Sequence, residues 1–146
     1  VPAIKTTIDI GASPEMVWRI LTDFPAYPKW NPFIRSVQGS AVAGKKLKVQ
    51  MRLPHGRSHR FSARVVKAIP ATELRWQGKM WIKGVFDGEH AFIIVPNGIK
   101  GVRFIQREHF SGLLARFMMP IIGEKTRKGF DIMNLALKKM AEAKSH

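Results

Sequence analysis

Between residues 46 and 53 the chain alternates without a fault. Leu47, Val49, Met51 and Leu53 are apolar, and Lys46, Lys48, Gln50 and Arg52 are polar. A period of two marks a strand with one buried and one wet face. The pattern returns at Phe61, Ala63 and Val65 against Arg60, Ser62 and Arg64, and again at Leu74, Trp76, Gly78 and Met80 against Glu73, Arg75, Gln77 and Lys79. "PHGRS" and "IPATE" supply the turns between these runs, and two more strands are predicted near 85–95 and 101–110, joined around Pro96, Asn97 and Gly98. From about residue 34 to 110 the chain therefore reads as an antiparallel meander.

The last hairpin carries a parity choice. An even loop would pair even positions of one strand with odd positions of the other, and an odd loop pairs even with even. The even sets are Phe86, Gly88, His90, Phe92, Ile94 and Val102, Phe104, Gln106, Glu108, Phe110; the odd sets hold Asp87, Glu89, Arg103, Arg107 and His109. Only the odd loop separates an aromatic face from a charged one, so it is the expected connection. It brings His90, Gln106 and Glu108 to the inner face.

The pattern changes period at both ends. Residues 4–10 read as a strand ended by Gly11, after which Ser13, Pro14 and Glu15 form a helix-start signal ahead of Val17, Trp18 and Leu21. Toward the C-terminus Met119, Ile122, Thr126, Phe130, Met133, Leu137 and Met140 fall within about 80° of one helical face. A straight helix from residue 112 would expose Leu113, Leu114, Phe117, Met118 and Ile121, so a break near Pro120 is expected. Between the first helix and the meander, "DFPAYPKWNPFI" sets Phe24, Tyr27, Trp30 and Phe33 among three prolines. Proline geometry allows only turns or short helical pieces there, the second of them around Ala26 to Trp30. The sum is a single α+β domain over residues 1–146, a curved sheet covered by the long terminal helix, with space between them for a small molecule.

Charge adds a second feature. Lys plus Arg is 25 against 10 acidic residues, a formal charge of +15, and no acid stands between Asp23 and Glu73 among Lys29, Arg35, Lys45, Lys46, Lys48, Arg52, Arg57, Arg60, Arg64 and Lys67. Such a block is either a solvated sheet face or a surface for anionic lipid or an acidic protein; with no nucleic-acid-binding motif beside it, no nucleic acid is expected. "GLLARFMMPIIG", 112–123, carries one charge and is too short to span a bilayer; it is core, the closure of a cavity mouth, or a segment for a membrane interface. The absence of cysteine excludes disulfides and thiolate chemistry and fits a reducing cytoplasm.

No strong enzymatic motif stands out. His55 and His59 have i, i+4 spacing in a loop with no acid nearby, so no metal site is expected, and the glycines form no phosphate-binding pattern, so no cofactor is expected either. His90, Gln106 and Glu108 are the best chemical candidates. Polar groups among Phe92, Phe104 and Phe110 must satisfy one another, orient a ligand, or, in the case of His90 and Glu108, act as acid and base. Met51, Met80, Met118 and Met119 add adaptable surface that could line a cavity.

Several strings then resemble one family. "TTIDIGASPEMVWRILTDFPAYPKWNPFI", "GEHAF" at 88–92, "REHFSGLLA" at 107–115 and "GFDIMNLALKKMAE" at 129–142 resemble the polyketide cyclase/dehydrase-like branch of the START-related lipid-transfer (SRPBCC) superfamily. The resemblance implies a helix-grip fold: an antiparallel sheet wrapped around the C-terminal helix, two short helices after the first strand, and a hydrophobic cavity between. It implies that Trp30 and Phe33 plug or line one end. It also implies a lipid, sterol, polyketide or hormone-like guest, with cyclisation or dehydration as the chemistry of some members. The expected cavity residues are Trp30, Phe33, Met51, Phe61, Trp76, Met80, His90, Phe92, Phe104, Gln106, Glu108, Met119 and Ile122. Three functions stay open: a binder of a small hydrophobic ligand, a cyclase or dehydratase using His90 and Glu108, and a basic module for anionic membrane or protein surfaces.

Overall fold

The computed structural model describes residues 3–54, 56–79 and 87–145. His55, Met80 and Phe86 lie outside them. The chain runs β1 (Ala3–Ile10), α1 (Pro14–Thr22), a 3₁₀ turn (Phe24–Ala26), α2 (Tyr27–Trp30), β2 (Ile34–Gln38), β3 (Lys46–Arg52), β4 (Ser58–Ile69), β5 (Glu73–Lys79), β6 (Asp87–Pro96), β7 (Val102–Ser111) and α3 (Ala115–Lys144). Among the described residues the strands form one antiparallel sheet in the order β1-β7-β6-β5-β4-β3-β2. With α3 held against it, this is the helix-grip fold.

The hairpin register follows the parity argument. His90 stands opposite Glu108, Phe92 opposite Gln106 and Ile94 opposite Phe104, with the connection at 97–101 closed by the Asn97 amide donating to the Gly101 carbonyl at 2.9 Å. Phe92, Phe104, Gln106 and Phe110 are buried, while Arg103 and His109 are exposed. At the front, Ser13 caps α1 by accepting from the Met16 amide at 3.1 Å, and Val17, Ile20 and Leu21 are buried beneath it.

The proline-rich segment becomes a rigid corner. Asn31 Oδ1 accepts from the amides of Phe33 and Ile34 at 3.0 and 2.9 Å, and the Arg35 guanidinium donates to the carbonyls of Asn31 and Pro28 at 2.7 and 3.1 Å. These side chains satisfy backbone groups that irregular, proline-interrupted chain leaves without regular partners. Phe24, Tyr27 and Phe33 are buried there, and the Tyr27 hydroxyl donates to the Leu21 carbonyl.

α3 departs from expectation. It runs unbroken through Pro120. Pro120 lies in its second turn, where the missing N–H leaves the Arg116 carbonyl without its helical partner but does not end the helix. Of the residues that a break was expected to bury, Leu113, Phe117 and Ile121 stay in solvent, 80%, 67% and 66% exposed, while Met118 is partly buried. The rest of the helix is held firmly. Thr126, Gly129, Phe130, Met133, Asn134, Leu137 and Ala141 are buried. Glu142 Oε2 accepts from the Gly11 amide at 2.8 Å, the Lys138 ammonium donates to the Asp9 carbonyl at 2.8 Å, and Arg127 donates to the Lys5 carbonyl at 3.0 Å.

Helix and corner meet tightly at Gly129. A Cβ placed there would lie 2.3 Å from two carbons of the Phe33 ring, which also packs edge-on against Phe130 at 5.7 Å. Alanine is about 1 kcal/mol better than glycine inside a helix, yet overpacking a tight core costs about 1–3 kcal/mol. Gly129→Ala should therefore destabilise the protein in chemical denaturation. In a Phe33→Ala background the same change should become neutral or stabilising, because the ring it strikes is gone. The same destabilisation in both backgrounds would refute the packing account.

Candidate functional site

A cavity of about 290 Å³ lies between the inner sheet face and the first turns of α3. Its apolar wall includes Ile34, Val49, Met51, Leu53, Phe61 and Trp76 from the sheet side, Phe110 from the end of β7, and Met118 and Ile122 from the helix. The polar contributors are His59, Arg60, His90, Glu108 and Thr126. His59 and Arg60 are exposed, so they mark where the cavity meets solvent.

Two glycines make the space. Gly78 and Gly88 face each other on β5 and β6, both at inner-face positions. A Cβ on Gly78 would come within 2.9 Å of the Phe61 ring, and one on Gly88 within 3.2 Å of Glu108 Oε2. The missing side chains thus let Phe61 and the Glu108 carboxyl fold over the neighbouring strands instead of pointing straight into the helix.

Behind the cavity a chain of polar side chains crosses the core. Gln106 Nε2 donates to Asn134 Oδ1 at 2.7 Å and to the Phe130 carbonyl at 3.3 Å, which turns its oxygen toward His90. His90 Nε2 lies 2.9 Å from that oxygen and so carries the proton it donates. Asn134 Nδ2 in turn donates to Thr6 Oγ1 at 3.0 Å. The lone pair of His90 is left on Nδ1, which faces Glu108 Oε1 at 3.8 Å.

The surroundings set the charge state of this pair. His90 stacks on Phe92 with ring centroids 4.0 Å apart, lies 4.8 Å from the Phe130 ring and meets Trp76 edge-on at 5.7 Å. Burial among these rings pushes the imidazole down to about 4, with only partial opposition from the Gln106 hydrogen bond. Burial pushes the Glu108 carboxyl up to about 8, and the charge of Glu89 adds to the rise. Near neutral pH the two are an uncharged acid beside an uncharged base, not an ion pair. Glu108 Oε2 is buried and has no hydrogen-bond partner among the described residues. The arrangement can donate a proton from the carboxyl, accept one at His90 Nδ1, or hold a polar group of a guest.

Of the residues expected from sequence, Met51, Phe61, Trp76, His90, Glu108 and Ile122 line the cavity, and Trp30, Phe33, Phe92, Phe104, Gln106 and Met119 do not. Phe92, Phe104 and Gln106 share the inner face but are packed solid farther along β6 and β7. Phe33 is consumed by its contact with Gly129, and Trp30 is half-buried, edge-on to Tyr27 at 5.2 Å. Met119 packs on the core while its neighbour Met118 reaches the cavity. Parity alone could have added Val49 and Leu53 beside Met51, His59 beside Phe61, and Gly88 and Phe110 beside His90 and Glu108. The basic residues Lys46, Lys48, Arg52 and Arg64 are exposed on the other sheet face, and Arg60, with Val49 and Phe61, borders both the cavity and a groove beside Lys48 and Gln50.

The profile of the polyketide cyclase / dehydrase and lipid transport family matches residues 2–142, and the chain belongs to that family. Among solved structures, it is similar to the Zhui aromatase/cyclase from Streptomyces sp. R1128, with a TM-score of 0.82 at 12% identity over 99% of this chain and 96% of that one. A START superfamily protein from Mycobacterium smegmatis gives 0.75 at 21% identity over 97% of both chains. The di-domain aromatase/cyclase StfQ of the steffimycin biosynthetic pathway gives 0.71 at 10% identity over 97% of this chain, which spans 51% of the length of StfQ. These likenesses are of fold. No curated protein matches the chain in sequence.

The buried pair predicts an unusual stability profile. Glu108 keeps its proton in the folded state up to about pH 8 but loses it in the unfolded state near its ordinary value of 4.5, so stability falls as pH rises through that window. His90 works oppositely: stability falls as pH drops from 6.5 toward 4. Between pH 6.5 and 8 the Glu108 contribution dominates the change, that of His90 being nearly complete. Thermal melts over that range should show the wild type losing stability, by up to a few kcal/mol, while Glu108→Gln stays flat. Parallel profiles for the two proteins would show that Glu108 is already ionised.

Proposed function

We propose that this protein binds a small, largely apolar molecule in the cavity, with a polar group of the guest at Glu108 and His90. The observation that carries the reading is an apolar cavity of about 290 Å³ whose wall includes a buried carboxyl group with an oxygen that no described residue engages. A buried polar atom without a partner is costly, and a guest hydroxyl or carbonyl would relieve that cost. The volume is at the low end of small-molecule sites, about 300–1,000 Å³, which favours a compact ring system or short chain over a long acyl lipid. A guest hiding roughly 200 Å² of apolar surface gains on the order of 5 kcal/mol before the costs of association. The family's joint description, cyclase / dehydrase and lipid transport, is compatible with binding alone or with chemistry on the bound molecule.

One observation favours the second possibility. A carboxylic acid protonated near neutrality beside an imidazole lone pair is a general acid next to a general base. On a β-hydroxy carbonyl guest, His90 Nδ1 would take the α-proton while the Glu108 acid protonates the leaving hydroxyl. A C–H and a C–O bond break, a C=C bond forms, and water departs.

Native mass spectrometry of the protein purified from the organism that makes it, followed by organic extraction, tests the binding reading. The expected result is a stoichiometric apolar or amphipathic guest, lost in Ile122→Trp, which fills the cavity, with little change in melting temperature. An empty protein that takes up nothing from a panel of polyketides, phenols and short lipids would overturn it. If the guest is also transformed, Glu108→Gln should retain binding and lower turnover by about 100-fold or more, the usual size of a general acid's contribution.

A further inference from the structure

The first turns of α3 have two apolar faces. Met118 and Ile122 enter the cavity, while Phe117 and Ile121, with Leu113 just before the helix, stand 67%, 66% and 80% exposed on an adjoining face. Soluble surfaces carry single exposed apolar residues routinely, but three large ones clustered on adjoining turns need a partner. The charges around them indicate which. From 112 to 128 the cations are Arg116, Lys125, Arg127 and Lys128 and the only acid is Glu124. Arg116, Lys125 and Lys128 are exposed on the turns that carry the apolar cluster or follow it directly. Across the cavity stand the exposed His59 and Arg60.

A second copy of the chain is a poor partner. A two-fold contact would press this patch, and its cations, against itself in a molecule of formal charge +15. An apolar cluster flanked by Arg116, Lys125 and Lys128, with Glu124 as the one acid beside it, matches instead the boundary between anionic headgroups and acyl chains. We infer that Leu113, Phe117 and Ile121 dip into the surface of an anionic bilayer, with Arg116, Lys125 and Lys128 on the headgroups, which sets the cavity opening against the membrane. The inference rests on the binding reading for its purpose, since a guest sparingly soluble in water would pass between bilayer and cavity beside Met118 and Ile122. The contact is peripheral: among the described residues no helix is long and apolar enough to cross a membrane.

The cysteine-free chain permits a direct test. Single variants Phe117→Cys, Lys48→Cys and Ile99→Cys, each carrying an environment-sensitive fluorophore, report respectively the α3 patch, the basic sheet face and the hairpin at the far end of β7. Vesicles of equal parts phosphatidylcholine and phosphatidylglycerol should shift the label at 117 to the blue and leave those at 48 and 99 unchanged. Phosphatidylcholine alone should do nothing. Raising salt from about 0.05 M to about 0.5 M should weaken binding at least tenfold. In co-sedimentation of unlabelled protein, Phe117→Ser/Ile121→Ser should bind at least about fivefold more weakly with an unchanged melting temperature. A shift at 48 instead of 117, no vesicle binding at low salt, or a label at 117 that responds to protein concentration without vesicles would each overturn the inference, the last by assigning the patch to self-association. None of these readouts depends on whether the cavity holds a guest, so extraction followed by mass spectrometry still judges the binding reading separately.

Discussion

Everything in this molecule depends on how closely α3 can lie on the sheet. Over its second half the contact is as tight as side chains allow: Gly129 admits the Phe33 ring, and Phe130, Met133, Leu137 and Ala141 are fully buried. Polar clamps at Gly11, Asp9 and Lys5 fix the same half against β1 and the turn that follows it. Between Arg116 and Lys125 no residue is fully buried. A stiff helix pinned at one end over a curved sheet must stand away from it at the other, and the cavity is the resulting gap. Its location is therefore set by packing some distance from it.

The polar chain from His90 to Thr6 ties this geometry to chemistry. Each amide in it uses its nitrogen toward α3 or β1 and its oxygen toward the previous member, so the direction of donation is fixed from one end to the other. An imidazole free to flip would offer either nitrogen to the cavity. Here Nε2 is committed and Nδ1 alone is available. The same burial that makes the chain necessary holds His90 and Glu108 neutral, because an ion pair would have to be formed without water and with few compensating hydrogen bonds. A neutral pair is also what an apolar guest can approach without displacing charge from solvent.

The fold was largely legible because its signals are local. Period-two alternation in 46–53, 60–65 and 73–79, the Ser13 cap and the wheel formed by Thr126, Phe130, Met133 and Leu137 each follow from residues close in sequence. Even the β6–β7 parity was recoverable, since one choice would have buried Arg103 and Arg107. The cavity lining was less legible. Alternation tells which face a residue points to, not how far along the strand the helix stops touching it, so Phe92 and Phe104 looked equivalent to Phe61 and Trp76. Pro120 is hard to read for a related reason. A helical wheel puts residues 113, 117 and 121 on one apolar face without telling whether a core meets it, and the helix continues and leaves them outside.

That exposure belongs to a pattern. Consistent sequences satisfy propensity, packing and polar pairing together, and departures concentrate where something other than stability is being selected. Among the described residues four departures stand together: glycines facing each other on neighbouring strands, a buried carboxyl oxygen without a hydrogen-bond partner, a proline within a helix, and large apolar residues in solvent. Each alone has an innocent explanation. Together they surround one cavity, at the end where β7 passes into α3. Filling Gly78 and Gly88, pairing Glu108 and making Phe117 polar would give a tighter, more ordinary protein. The chain forgoes all three at one place, and the physical consequence is an opening framed by a buried imidazole and carboxyl on one side and an exposed apolar helix surface on the other.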